Sequence, residues 1–243
     1  MRGYDEIAEW YDALVETGSL YQELILPTLL ALVGNVQAQH ILDVACGQGL
    51  VTRALARRGA TLTGIDASPR MLALAEQRER AEPLGIEYRD GDAQTLAELR
   101  DGAFDGATCC MALMNIDDLQ ACAAALGRVL RDGGWFVAVI THPCFQTPEA
   151  RWIERADGKV VREVSGYFDE RFWQSDDHAG VRGKVGEHHR TLSTYVNAFN
   201  DAGFVLERLS EPVASGRRAH EVPGNLEVPS VLGMRFVMRE YDQ

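Results

Sequence analysis

Three sets of residues in this chain have the types and spacing to do chemistry. The first is Asp43 with Gly47 and Gly49, in Ile41-Leu42-Asp43-Val44-Ala45-Cys46-Gly47-Gln48-Gly49. An apolar strand that runs into a glycine turn leaves no side chain between the main chain and a ligand, and it forms a corner where nucleotides bind. A dinucleotide fingerprint asks for GxGxxG or GxGxxA, but Thr52 stands at the third position. Asp43 would also repel a pyrophosphate, so a ligand with a cationic amino group and no phosphate fits better. The second set is the acids Asp66, in Gly64-Ile65-Asp66-Ala67-Ser68-Pro69, and Asp92, in Gly91-Asp92-Ala93, which follow in order. The third is His142 and the pair His188-His189, whose imidazoles titrate near neutral pH and are candidate general bases. Beside them Arg190 is a candidate to hold an acidic substrate group or to pair with Glu187. His178, His188, His189 and Glu187 are not read as a metal site, because adjacent histidines rarely point at one ion and no HxxxH or HExxH spacing occurs. Cys109-Cys110 belongs to an apolar run and is not read as a nucleophile.

These residues need elements to position them. Short apolar runs alternate with helical segments as far as about residue 142, the pattern of a parallel sheet wrapped by helices. The runs predict strands at 40–45, 61–66, 86–90, 104–110 and 135–141, and helices at 50–58, 69–80 and 118–131. Ser68-Pro69 is a helix start and Gly133-Gly134 a helix stop. Two helices precede the sheet. Ile7, Trp10, Tyr11, Leu14 and Val15 share a face of the first; Ser19-x-x-Gln22 resembles a capping box for the second, which Pro27 would kink or restart. Residues 143–190 are polar and irregular, yet hold Phe145, Trp152, Tyr167, Phe168, Phe172 and Trp173. A helix over 192–202 and strands over 204–209 and 232–239 close the chain.

Composition narrows the function classes. A chain of 243 residues fits one domain with an insertion. The formal charge of −12 argues against a nucleic-acid footprint, which needs clustered Lys and Arg. No apolar run approaches the roughly 20 residues that span a bilayer. The N-terminal residues carry no apolar leader, and the five cysteines form no CxxC pair and read as reduced core residues. A cytoplasmic protein is expected.

The ordered series of motifs resembles the class I S-adenosylmethionine-dependent methyltransferases. Asp43-Val-Ala-Cys-Gly47-Gln-Gly49 resembles their first motif. Asp66 stands where the family places the acid that accepts from both ribose hydroxyls, a task for a two-oxygen acceptor. Asp92 matches the acid that meets the adenine amino group. Phe104-Asp105-Gly106-Ala107 and Leu130-Arg131-Asp132-Gly133-Gly134-Trp135-Phe136 resemble the openings of strands four and five. The N-terminal segment from Tyr4 to Asp12 resembles the lid helix of the small-molecule branch, with Tyr11 the matching aromatic and Tyr4 the second choice. Glu187-His-His189-Arg190-Thr-Leu-Ser-Thr-Tyr195 is similar to the segment that leads into the final helix there.

The resemblance implies a Rossmann-like α/β fold, a mostly parallel seven-stranded sheet with helices on both faces and an insertion after strand five. It implies a helical lid at 1–35, a cofactor-binding domain at 36–142 and 191–243, and a substrate-side cap at 143–190. S-adenosylmethionine is the expected cofactor, in contact with Asp43, Ala45, Gly47, Gly49, Asp66, Ala67, Asp92, Ala93 and Met111. Tyr4, Asn115, Arg190 and Tyr195 are expected at the substrate, and His189, His142 and Tyr11 as catalytic residues. The expected reaction is methyl transfer to an oxygen or nitrogen of a small molecule, by a monomer or homodimer without nucleic-acid or membrane partners. Methylation of RNA or protein, a cofactor-binding regulator without activity, and a nicotinamide enzyme are the alternatives.

Overall fold

The computed structural model describes residues 3–239. Met1, Arg2 and residues 240–243, which the expected domain limits include, lie outside the described residues. In chain order the sheet-forming half runs β1 (His40–Val44), α4 (Leu50–Ala56), β2 (Thr61–Asp66), α5 (Pro69–Ala81), β3 (Glu87–Asp90), β4 (Phe104–Cys110), α6 (Leu119–Val129) and β5 (Leu130–Thr141). It is preceded by α1 (Gly3–Glu6), α2 (Ala8–Thr17), a π-helical stretch (Leu20–Ile25) and α3 (Leu26–Val33). After β5 come β6 (Arg151–Glu154), β7 (Val160–Glu163), β8 (Arg171–Trp173), α7 (Val181–Val185) and β9 (Glu187–His189). The chain ends with α8 (Leu192–Asp201), β10 (Phe204–Ser210), α9 (Gly216–Glu221) and β11 (Val231–Met238).

Seven strands form one sheet in the order β3-β2-β1-β4-β5-β11-β10. β1 to β5 are parallel to one another, and β11 is antiparallel to both β5 and β10. The chain winds outward from β1 to β3, then crosses back to β4 on the other side of β1. That reversal opens a crevice at the carboxyl ends of β1 and β4, where ligands of such sheets bind. Both faces are covered, so side chains alternate between two cores. Leu42, Val44, Phe136, Ala138 and Ile140 pack with α6 and α8, where Phe136 stacks on Phe199 at 4.8 Å. Ile41, Trp135, Val137 and Val139 pack with the N-terminal helices and α4.

The start signal works as expected at Ser68, whose hydroxyl accepts from the Met71 backbone N–H at 3.2 Å, and Asp118 caps the next helix by accepting from the Ala121 N–H at 2.9 Å. Three expectations differ. The helix read over 118–131 ends at Val129, because Leu130 is already extended and begins β5, so the Gly133-Gly134 pair bends a strand instead of stopping a helix. The Ser19–Gln22 capping box is not formed. The Ser19 hydroxyl donates to Glu221 and the Gln22 amide to the Val15 carbonyl, and the backbone there is π-helical before Pro27 opens α3. Residues 143–190 are more regular than their sequence suggests, with antiparallel pairs β6–β7 and β8–β9.

The N-terminal helices bury Ala8, Tyr11 and Val15 and turn an acidic stripe toward α5. Asp5 accepts from the Ser68 hydroxyl at 2.5 Å and the Arg70 N–H at 3.2 Å, Glu9 pairs with Arg70, and Asp12 accepts from Arg78 at 2.7 and 2.9 Å. Among the described residues, no helix is long and apolar enough to cross a membrane.

Candidate functional site

β1 ends in a turn that only part of the amino-acid alphabet tolerates. Gly47 has φ +55° and Gly49 φ +86°, and Ala45, with φ +54°, is held in the same left-handed region. A Cβ on Gly47 would meet no atom within 4 Å, so that glycine opens onto space; a Cβ on Gly49 would fall 2.4 Å from the Tyr88 hydroxyl. At the end of β4, Met111 is likewise left-handed at φ +55°. Such strain in non-glycine residues persists only where the surroundings enforce it, and it gathers at functional clefts.

Two acids stand behind this turn. Asp43, 1% exposed, accepts from the Thr52 hydroxyl at 2.6 Å and the Thr108 hydroxyl at 2.7 Å, one on each carboxylate oxygen. Burial pushes its pKa up to about 6, against the pull of those hydroxyls and with a smaller push from Asp66. Asp66, 7% exposed, accepts from the backbone N–H groups of Gly47 and Ser68, each at 2.8 Å. Burial raises its pKa too, while the two N–H donors pull it back. Each carboxylate oxygen has about two acceptor directions, so both acids keep capacity for a ligand. They line a cavity of about 600 Å³, partly open to solvent, together with Ala45, Gly47, Met111 and Asn115.

A larger cavity of about 1330 Å³ adjoins it. Tyr4, Tyr11, Tyr21, Met111 and Asn115 border both cavities and form their common wall. Its members hold one another. The Tyr21 hydroxyl donates to that of Tyr11 at 3.1 Å, the Asn115 amide donates to that of Tyr4 at 3.0 Å, and Tyr4 meets Tyr11 edge-on at 5.3 Å. Burial raises all three phenols above their ordinary range. The far side of the larger cavity comes from residues 143–190, among them Gln146, Arg162, Arg182 and Glu187. Glu187, 5% exposed, pairs with Arg182 at 3.3 Å, and burial pushes its carboxyl up to about 7.

Other expected residues sit elsewhere. His142 accepts the Cys144 N–H on Nδ1 at 3.2 Å and donates from Nε2 to Glu211 at 2.7 Å, and burial lowers its pKa. His189 donates from Nε2 to the Tyr167 carbonyl at 2.8 Å. Neither lines either cavity, which corrects their placement beside the acceptor. Arg190 is corrected in the same way. Its buried guanidinium donates to the carbonyls of Leu113, Ile116 and Asp117 at 3.2, 2.6 and 2.8 Å and so fastens the segment after β4. Tyr195 is buried in the core. Asp92 is exposed, outside the cavity lining, and closes a turn by accepting from the Gln94 N–H at 2.9 Å. Ala93 belongs to the core, Ala67 stands outside the lining, and Gly49 shapes the turn without lining the cavity. Among the described residues, no three of His, Cys, Asp and Glu are grouped to hold a metal ion.

Sequence reasoning missed Thr52 and Thr108, which orient Asp43. It read Thr52 only as an absent glycine, because the bond to Asp43 nine residues earlier comes from the folded turn and follows no spacing rule. Tyr21, Gln146, Arg162 and Arg182 were also missed, and Glu187 was weighed only as a partner for Arg190 and as a rejected metal ligand.

Known proteins agree with this architecture. Residues 42–138 match a methyltransferase domain family. The chain is 34% identical over 138 residues to a ubiquinone biosynthesis O-methyltransferase of Paracidovorax citrulli, covering 54% of this chain and 57% of that one. It is 32% identical over 130 residues to the protein of the same description from Bordetella avium, covering 53% and 54%. The chain thus spans about half the length of the curated relatives it matches. A crystal structure of an S-adenosylmethionine-dependent methyltransferase from Mesorhizobium loti superposes with a TM-score of 0.77 at 28% identity, covering 92% of this chain and 99% of that one. With its motifs in order on a 3-2-1-4-5-7-6 sheet (β11 and β10 taking places 7 and 6), the chain has the Rossmann-like fold of S-adenosylmethionine-dependent methyltransferases and carries a methyltransferase domain over residues 42–138.

Proposed function

We propose that this chain moves the methyl group of S-adenosylmethionine to a hydroxyl oxygen of a small organic molecule. The observation that carries the reading is the meeting of two cavities at the wall of Tyr4, Tyr11, Tyr21, Met111 and Asn115. One cavity has the acids and open backbone that suit a nucleoside with an amino-acid tail, and the other has room for an acceptor. The relatives described as O-methyltransferases support oxygen as the accepting atom.

The residues present fit the cofactor. Gly47 leaves its backbone open to the cavity. Asp66 retains an acceptor direction on each oxygen for a pair of ribose hydroxyls, and Asp43 sets a negative charge where a cationic amino group would lie. When bound, S-adenosylmethionine supplies a methyl carbon activated by a sulfonium, which an incoming oxygen displaces in line. The protein's own work is alignment and exclusion of water, and positioning alone can contribute roughly 7–11 kcal/mol. The interlocked tyrosines and Asn115 do this at the common wall. Glu187 is the proton acceptor on the acceptor side, in place of His189 and His142: it faces the larger cavity and titrates near the operating pH. A cytoplasmic location accords with reduced cysteines.

Calorimetry with S-adenosylhomocysteine tests the cofactor site. Saturable binding that collapses in Asp66→Ala is expected; undiminished binding in the variant, or binding of NAD in its place, overturns the reading. Labelled methyl should pass to hydroxylated metabolites and not to tRNA or lysate protein.

A further inference from the structure

The walls of the larger cavity carry more than space. Arg162 and Arg182 donate to the same Gln146 Oε1, at 3.1 and 3.0 Å, so two guanidinium groups converge on one neutral oxygen. Arg162 is half-buried, lies over the Trp152 ring at 5.0 Å, and also donates to the Phe145 carbonyl at 2.8 Å. Its remaining partners are therefore neutral, and no carboxylate lies within ion-pair distance of it among the described residues. That is notable in a chain with 36 acids and 24 Lys and Arg. Burial and the neighbouring Arg182 pull its pKa down to about 10, the sign of a cation short of a counter-charge.

Three acids face the same cavity, and each is already engaged. Glu187 is paired with Arg182, Glu221 accepts from Ser19 and faces Arg217 at 3.4 Å, and Asp177 accepts the Ala179 N–H at 3.0 Å. Arg218, also on the cavity, donates to Asn225 at 3.1 Å and has the charge of Glu221 nearby to offset its burial. Arg162 is thus the cation with charge to spare, beside a second guanidinium able to complete a fork. Planar guanidinium groups recognise carboxylates through paired charge-assisted bonds.

We infer that the methyl acceptor is a hydroxy acid whose carboxylate seats on Arg162 and Arg182, with its hydroxyl toward Glu187 and the tyrosine wall. The inference rests on the methyltransferase reading and names its substrate class. Gln146 then acts as the spacer that holds the two guanidinium groups together before the anion arrives.

The test is binding in the presence of saturating S-adenosylhomocysteine. Hydroxy acids of increasing size, from 3-hydroxybutyrate to 4-hydroxybenzoate and 4-hydroxycinnamate, are each titrated beside the corresponding neutral amide. At least one acid is expected to bind about tenfold or more tightly than its amide, the gap that one extra charge-assisted contact supplies. The preference should vanish in Arg162→Met and survive in part in Arg162→Lys, with S-adenosylhomocysteine affinity and melting temperature held in both variants. An acid preference that persists in Arg162→Met overturns the inference, as does a panel in which no acid outbinds its amide. If S-adenosylhomocysteine itself fails to bind the wild-type protein, the methyltransferase reading fails instead.

Discussion

Replacing Asp43 by Asn removes a charge from the most enclosed acid of the cleft while keeping its shape. The amide oxygen can still accept from one threonine hydroxyl, and the other hydroxyl can turn to accept from the amide nitrogen. In the wild type, burial raises the Asp43 pKa from 3.8 to about 6. A carboxyl whose pKa is higher in the folded state stabilises the fold fully below its unfolded value, and that stability is lost as pH rises through the folded value. A shift of about 2 units corresponds to about 3 kcal/mol, of which about 2 kcal/mol falls between pH 4.5 and pH 8. The expectation is a difference measurement. By urea unfolding of the ligand-free proteins at several pH values, the wild type loses about 2 kcal/mol relative to Asp43→Asn across that window, and the variant is the more stable protein at pH 8. S-adenosylhomocysteine should shrink the gap, because a cationic amino group opposite Asp43 favours its ionised form. A difference that stays flat from pH 4.5 to pH 8, or that grows in the wild type's favour, refutes the reasoning.

Two other outcomes follow from the turn and from the acceptor side. Gly49→Ala should cost about 2 kcal/mol or more in thermal or urea unfolding, because a left-handed alanine costs 1–2 kcal/mol and its Cβ would collide with the Tyr88 hydroxyl. Gly47→Ala, with open space at its Cβ, should cost only the backbone part, and Tyr88→Phe should recover much of the loss in Gly49→Ala, since that hydroxyl has no hydrogen-bond partner. Methyl-transfer rate should rise with pH through about 7 as Glu187 ionises, and Glu187→Gln should lower kcat and abolish that rise. His189→Ala and His142→Ala should leave the profile in place; loss of the rise in either would return the proton-accepting role to a histidine.

Much of the sheet was legible because its central strands, covered on both faces, are buried almost throughout and so read as short continuous apolar runs. β2 and β4 have the limits read from the sequence, and β1 differs by one residue. The cap was not legible, since β6 to β8 hold no fully buried residue and β9 buries charged and polar side chains, so none carries an apolar alternation. The acids of the cleft were legible from their positions beside glycine turns, but Asp92 shows the limit of that signal. A short acid after a strand closes its own turn as readily as it faces a ligand. The histidines misled for a related reason. Residue type says that an imidazole can take a proton, whereas its partners decide whether a nitrogen is free, and those of His142 and His189 lie 69 and 22 residues away in sequence. Glu187 was hidden by its neighbours, because its significance comes from burial beside Arg182, which no spacing rule records.

The acidic stripe of the N-terminal helices has a consequence for how the cleft opens. Asp5 grips Ser68, and Ser68 also supplies the backbone N–H that holds Asp66. One residue therefore ties the N-terminal helix to the turn of the cleft: the Ser68 hydroxyl caps α5 and donates to Asp5, while its N–H holds Asp66. Exposed ion pairs such as Glu9–Arg70 contribute little each and weaken as salt shortens the screening length. These helices are held by charge as well as by Ala8, Tyr11 and Val15, so if they act as a door, S-adenosylhomocysteine should leave the cleft faster in brine than in dilute buffer.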